Sequence, residues 1–313
     1  MKLVSALLIS LFLSACAVEV GDEPAIDPDA TTDEVVTPTV EQLFATAAME
    51  VIERAGGETP GKSAATATPI TYHGGPIMLG TTKVYVIWYG NWTGNTALTI
   101  VPAFLQALGG SPYFNINTSY SNAAGARVSN ALGFGGQTTD AYSRGKALGD
   151  NDVAMVIATA LAAKKLSRDA SGIYVVLSSA DVNETSGMCT RYCGWHTYGT
   201  LNGALTRVAY LGNPDRCPTS CEAQTGKSPN ANPGADGLVS VLAHELDESV
   251  TDPNLNAWFD AQGAENADKC AWTFGTTHSV ANGSRANVKL AGKDYLIQQN
   301  WMNVGAGSCA LAH

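Results

Sequence analysis

Hydrophobic and polar positions follow three regimes along this chain. From Leu3 to Leu13 the residues are mainly apolar, with Lys2 the only charged side chain before them. From Val18 to about residue 40 the apolar positions are scattered and have no period. From about Ile70 onward, short β-branched and aromatic runs alternate with segments of helical spacing. The runs Lys83 to Tyr89, Gly172 to Leu177 and Arg207 to Leu211 read as strands. Val101 to Leu108, Asp152 to Leu166 and Gly237 to Val250 read as helices, with Pro102 placed in a first turn and Asp236 as an N-cap. Strands separated by helices predict an α+β, layered α/β domain with a central mixed sheet rather than a sandwich. Residues 70–313 are long enough to bury a substantial core as one domain. The many Gly, Asn and Ser residues after 180 predict long loops. Residues 39–54 suggest a further amphipathic helix, with a small-residue linker after it, so that 41–69 form a helix plus linker.

The first regime changes the picture most. The run is too short to stay as a membrane span, and Leu13-Ser14-Ala15-Cys16 has the small-residue pattern that precedes a lipidated cysteine. Residues 1–15 are therefore expected to be a removed signal peptide and Cys16 the lipid attachment point. Ala17, not an acid, follows Cys16. The expected destination is extracytoplasmic, at the outer membrane or cell surface rather than the periplasmic face of the inner membrane. The tether over 16–40 holds Glu19, Asp22, Glu23, Asp27, Asp29, Asp33 and Glu34 with no base, too little apolar surface to offset its ordering entropy.

That tether also accounts for most of the net charge of -10. Beyond residue 40 the chain holds 21 acids against 17 bases, with no basic stripe, so nucleic acid is not an expected partner. A monomer is expected. Six cysteines remain beyond Cys16, namely Cys189, Cys193, Cys217, Cys221, Cys270 and Cys309. An even number in an exported chain favours disulfides over a zinc cage, with the pairing open.

The chemistry concentrates in residues 235–272. His244 and Glu248 lie four apart, so a helix presents both toward one point, beside the apolar face formed by Leu238, Val239, Leu242, Ala243, Leu246 and Val250. Glu245 follows the histidine as the general base does in H-E-x-x-H hydrolases, although here the second histidine is replaced by Glu248. Glu265 is the expected third ligand, with Asp252, Asp260, Asp268 and His196 as alternatives; Asp268 could instead orient His244. Such a site predicts a divalent metal, Zn2+ first, and hydrolysis of a peptide or amide with Glu245 as base. Two carboxylate ligands would cancel the charge of Zn2+ and weaken it as a Lewis acid. The rival expectation is a non-catalytic module that binds polysaccharide or a cell-wall partner.

Other patterns carry less. No G-x-S-x-G elbow is present. GGETPGKS, Gly56 to Ser63, matches a phosphate loop only by chance, because no strand precedes it and no helix follows. The sequons at Asn91, Asn117, Asn183 and Asn282 are idle behind a lipoprotein signal. Trp195 to Tyr198 and Ala257 to Phe259 could stack on sugars but suit a core better.

Four segments resemble the phosphate-induced protein 1, or EXORDIUM-like, family: YHGGPIMLGTTKVYVIWYGNW from Tyr72, MCTRYCGWH from Met188, VAYLGNPDRCPTSC from Val208 and PNANPGADGLVSVLAHELDESVTDP from Pro229. The resemblance implies an exported, disulfide-containing domain like those of secreted plant cell-wall proteins. The HExxE stretch resembles a bacterial branch and, through it, a single zincin-like domain. The C-G-x-H pattern at Cys193 to His196 looks shared with the plant proteins, which implies a structural role for His196.

Overall fold

The computed structural model describes Glu50–Val51 and residues 68–313. Their centre is a six-stranded mixed sheet: β1 (Glu50–Val51), β2 (Thr82–Tyr89), β3 (Leu132–Asp140), β4 (Gly172–Ser178), β5 (Gly194–Leu201) and β6 (Ala204–Gly212). The order across the sheet is β1-β5-β6-β4-β2-β3. β2 runs parallel to both β3 and β4, and β4 parallel to β6, while β5 and β6 form an antiparallel hairpin. Every residue of β4 is buried, and in β2 only Lys83 is exposed. Burial of both faces explains why these runs are continuously apolar instead of alternating.

Three long helices cover the sheet: α1 (Ala97–Leu108), α2 (Asp150–Ala162) and α3 (Pro233–Thr251). Pro102 is not in a first turn as expected, because α1 begins at Ala97, whose N–H is received by the Asn95 side chain. Burial of Ile100, Val101, Phe104, Leu105 and Leu108 outweighs the interior proline, at roughly 1.5–3 kcal/mol per large side chain against about 3 kcal/mol for Pro. α2 starts two residues earlier than predicted, where the Asp152 carboxylate accepts from the Gly149 N–H, and it stops at Ala162.

α3 departs furthest from expectation. It starts at Pro233 with Asn232 as N-cap, whose side-chain oxygen accepts from the Ala235 N–H. Asp236 is therefore inside the helix, where it accepts from the Asn230 backbone and side chain, and is not the cap. Every residue from Gly234 to Thr251 is buried. The helix is a central rod rather than an amphipathic surface element, so its acidic side is not solvated.

Further expectations shift. β5 occupies part of the region expected to be loops, β6 extends the predicted Arg207 to Leu211 strand at both ends, and Glu50–Val51 are extended and pair with Trp195 and His196 instead of belonging to a helix. The rest of 39–54, the signal, the tether, Cys16 and the GGETPGKS stretch lie outside the described residues. All six remaining cysteines pair: Cys189–Cys217, Cys193–Cys221 and Cys270–Cys309. The two C-x3-C motifs are thus stapled to each other, side by side. Beyond Trp258 the described chain forms two-stranded ribbons and turns. No helix among the described residues is long and apolar enough to cross a membrane.

Candidate functional site

The acidic cluster assembles where α3, β5 and the turn over 260–270 meet. α3 supplies His244, Glu245 and Glu248; β5 supplies His196; the turn supplies Glu265 and Asp268. Glu248 sits in the middle. Its Oε1 is 2.8 Å from His244 Nε2, and its Oε2 is 3.6 Å from His196 Nε2. His196 Nε2 also lies 2.9 Å from Glu265 Oε2, and His244 Nε2 lies 3.4 Å from Asp268 Oδ1. The Asp268 N–H donates to Glu248 Oε1 at 3.1 Å, and the Glu265 N–H donates to Asp268 Oδ2. Glycine at 194 permits this approach: a Cβ there would stand 2.8 Å from Val241 Cγ1 and 3.0 Å from Glu245 Oε1.

Burial sets the electrostatics. Desolvation pushes the Glu248 carboxyl up to about 7, helped by the charge of Asp268 and opposed by His244. His196 is pushed down to about 3 by burial and by the charge of His244. For His244 burial works against the charged form, yet the carboxylates of Glu248, Asp268 and Glu245 hold the imidazole well above its ordinary value. His244 and Glu245 are 0% exposed, and His196, Glu248 and Glu265 are 1% exposed. Asp268, with 16% side-chain exposure, is the member of the cluster nearest solvent, and the Glu245 carboxylate lies behind it in the interior.

The structure brings Glu265, the expected third ligand, and the alternatives Asp268 and His196 to the same place as His244 and Glu248. His196, implied to be structural, faces Glu248 and Glu265 directly. Asp268 stands in the cluster itself, beside both His244 and Glu248. Asp252 and Asp260 do not join it. Asp252 accepts from the Asn256 and Ala257 N–H groups, and Asp260 pairs with Lys269 Nζ at 3.0 Å. Asp247, passed over in the sequence, is buried on another side of α3. It accepts from Tyr113 Oη at 2.8 Å and from Asn117 Nδ2 at 2.6 Å, and burial pushes its carboxyl up to about 7.

A second feature, an open cleft of about 450 Å³, lies beyond the carboxyl ends of β2 and β3. Open α/β sheets hold ligands at this edge, and the volume is in the range of small-ligand sites. Trp88 and Trp92, 1% and 4% exposed, back it from the core, packed edge to face with centroids 4.9 Å apart. Their indole N–H groups are already committed, to Gln137 Oε1 and to the Tyr89 carbonyl. Leu98 and Tyr142 wall the cleft, and Asn91, Thr93 and Thr139 line its rim. The sequence offered a faint signal in IWYGNW, but its partners lie some fifty residues on, across the sheet. Trp195 and Ala257 are likewise buried as core, while Trp258 and Phe259 are half-buried.

Comparison with known proteins agrees with the earlier resemblance. The family described as "Phosphate-induced protein 1 conserved region" matches residues 70–298. Protein EXORDIUM-like 3 of Arabidopsis thaliana is 29% identical over 274 residues, covering 75% of this chain and 81% of its own. Protein PHOSPHATE-INDUCED 1 of Nicotiana tabacum is 28% identical over 238 residues, covering 66% and 72%. No solved structure matches, so the expected likeness to zincins finds no counterpart.

Proposed function

This chain belongs to the phosphate-induced protein 1 family, and on that footing we propose that it is an exported, lipid-anchored binding module for polysaccharide or a cell-wall partner. The observation that carries this reading is the open cleft. The half-buried Tyr142 and Leu98, with the amide and hydroxyl groups of Asn91, Thr93 and Thr139 beside them, suit a sugar, which presents C–H faces and many hydroxyls. The carboxylates that a hydrolase would use are enclosed in the interior. The peptidase expectation therefore gives way to the binding module.

Binding of the full chain to a panel of cell-wall polysaccharides, read by biolayer interferometry, tests it. The double variant Asn91→Ala, Thr139→Ala removes rim groups worth about 1 kcal/mol each, so affinity should fall by about tenfold or more. Absence of binding to every polysaccharide, or full affinity in the double variant, would overturn the reading. Zinc-dependent peptide hydrolysis that disappears in Glu245→Gln would restore the hydrolase in its place.

A further inference from the structure

The enclosed cluster is not needed for recognition at the cleft, and its geometry calls for its own account. We infer that it is a two-metal centre for divalent transition ions, with Glu248 as the bridging carboxylate. Two donor sets meet at that residue. One is His196, Glu245 and Glu248, and the other is His244, Glu248 and Asp268; within each set the donor atoms lie within 4.8 Å of one another. Glu265 adds a further oxygen beside His196. The two oxygens of Glu248 divide between the sets, Oε1 toward His244 and Oε2 toward His196.

Donors held by one metal at about 2.0–2.1 Å stand roughly 3.3 Å apart in a tetrahedron. The separations here, 2.8, 2.9, 3.4 and 3.6 Å, bracket that value. His244 supplies an independent observation. It is fully buried and its Nε2 is 2.8 Å from Glu248 Oε1, yet neither ring nitrogen is aligned for a hydrogen bond. Its nitrogen faces the carboxylates as a ligand faces a shared ion. Charge points the same way. Glu245, Glu248, Glu265 and Asp268 carry four negative charges when ionised, and two divalent cations cancel them. Lys269, nearest in sequence, pairs with Asp260. One imidazole in each set favours zinc, manganese or iron over calcium, which takes oxygen donors. The centre would tie α3 to β5 and to the 260–270 turn.

The full chain, produced in metal-replete medium, is analysed for metal by mass spectrometry and then stripped with chelator and reloaded with Mn2+. About two ions per chain are expected, falling below about half an ion in Glu248→Gln because the bridge serves both. The reloaded wild type should show the electron paramagnetic resonance of a spin-coupled manganese pair, a readout that needs no variant to fold. One ion per chain, none after metal is offered, or the six-line spectrum of isolated Mn2+ would each overturn the centre. Neither result bears on polysaccharide binding.

Discussion

At the scale of single residues, positions next to the enclosed cluster tolerate least. Gly194 sits where β5 passes under α3, and an added Cβ would also come within 3.0 Å of the Tyr210 carbonyl oxygen. Strand and helix would have to part, so Gly194→Ala should destabilise by about 1–3 kcal/mol and lower the thermal midpoint by several degrees. An unchanged melting curve would show that the approach is looser than drawn. Glu222 makes a different case. Burial, and then the charge of Asp215, push its carboxyl from 4.5 up to about 7. The folded state therefore holds this proton more tightly than the unfolded state does. The stability from Glu222 is present in full below the unfolded value and is lost as pH rises through about 7. Glu222→Gln should melt higher than wild type at pH 8, with the gap gone at pH 4; equal midpoints at both would remove the argument. His244 and Glu248 were legible because helical spacing alone aligns them, and Glu245 because it follows His244 as in H-E-x-x-H. Glu265 could be ranked first and Asp268 and His196 named as alternatives, but nothing local showed how they pair, since His196 reaches the cluster from β5 and the two acids from the 260–270 turn.

At the scale of elements, the paired cysteine motifs show how one loop is closed twice. Cys189–Cys217 and Cys193–Cys221 each span 28 residues, and they run side by side. Chain entropy assigns about 3.6 kcal/mol to the first closure and about 2.5 kcal/mol to the second, which closes only the short ring left by the first. Removing either pair with serines should then cost about 2.5 kcal/mol, and removing both about 6 kcal/mol, more than twice the single loss. Urea unfolding of the two double-serine variants and the quadruple variant measures this, and equal single and quadruple losses would refute it. The same scale explains why α3 was misread. Its mean pattern contains an apolar face, which suggests a surface helix with a wet side. The polar side is instead covered by β5, the 260–270 turn and the Asn117 and Tyr113 side chains that hold Asp247. A helix does not reveal from its own residues how many neighbours surround it.

At the scale of the whole molecule, the chain joins an expected lipid anchor and acidic tether to a disulfide-stapled domain. Cys16→Ser should abolish incorporation of labelled fatty acid and move the protein from the membrane fraction to the soluble fraction; membrane association that persists would place the anchor elsewhere. By itself the sequence determined the segments and their types within the folded domain: the strands β2, β4 and β6, the three long helices, and the six cysteines that end in disulfides. These are local properties, set by composition, period and compartment. Only the tertiary structure decided which cysteines meet, that Gly-rich residues 132–140 join the sheet as β3, and that Asn91, Leu98, Thr139 and Tyr142 line one cleft. It also decided that His196 and Asp268 close around Glu248. Each of these outcomes depends on residues tens of positions apart being packed together, and no window of sequence contains the burial that drives that packing.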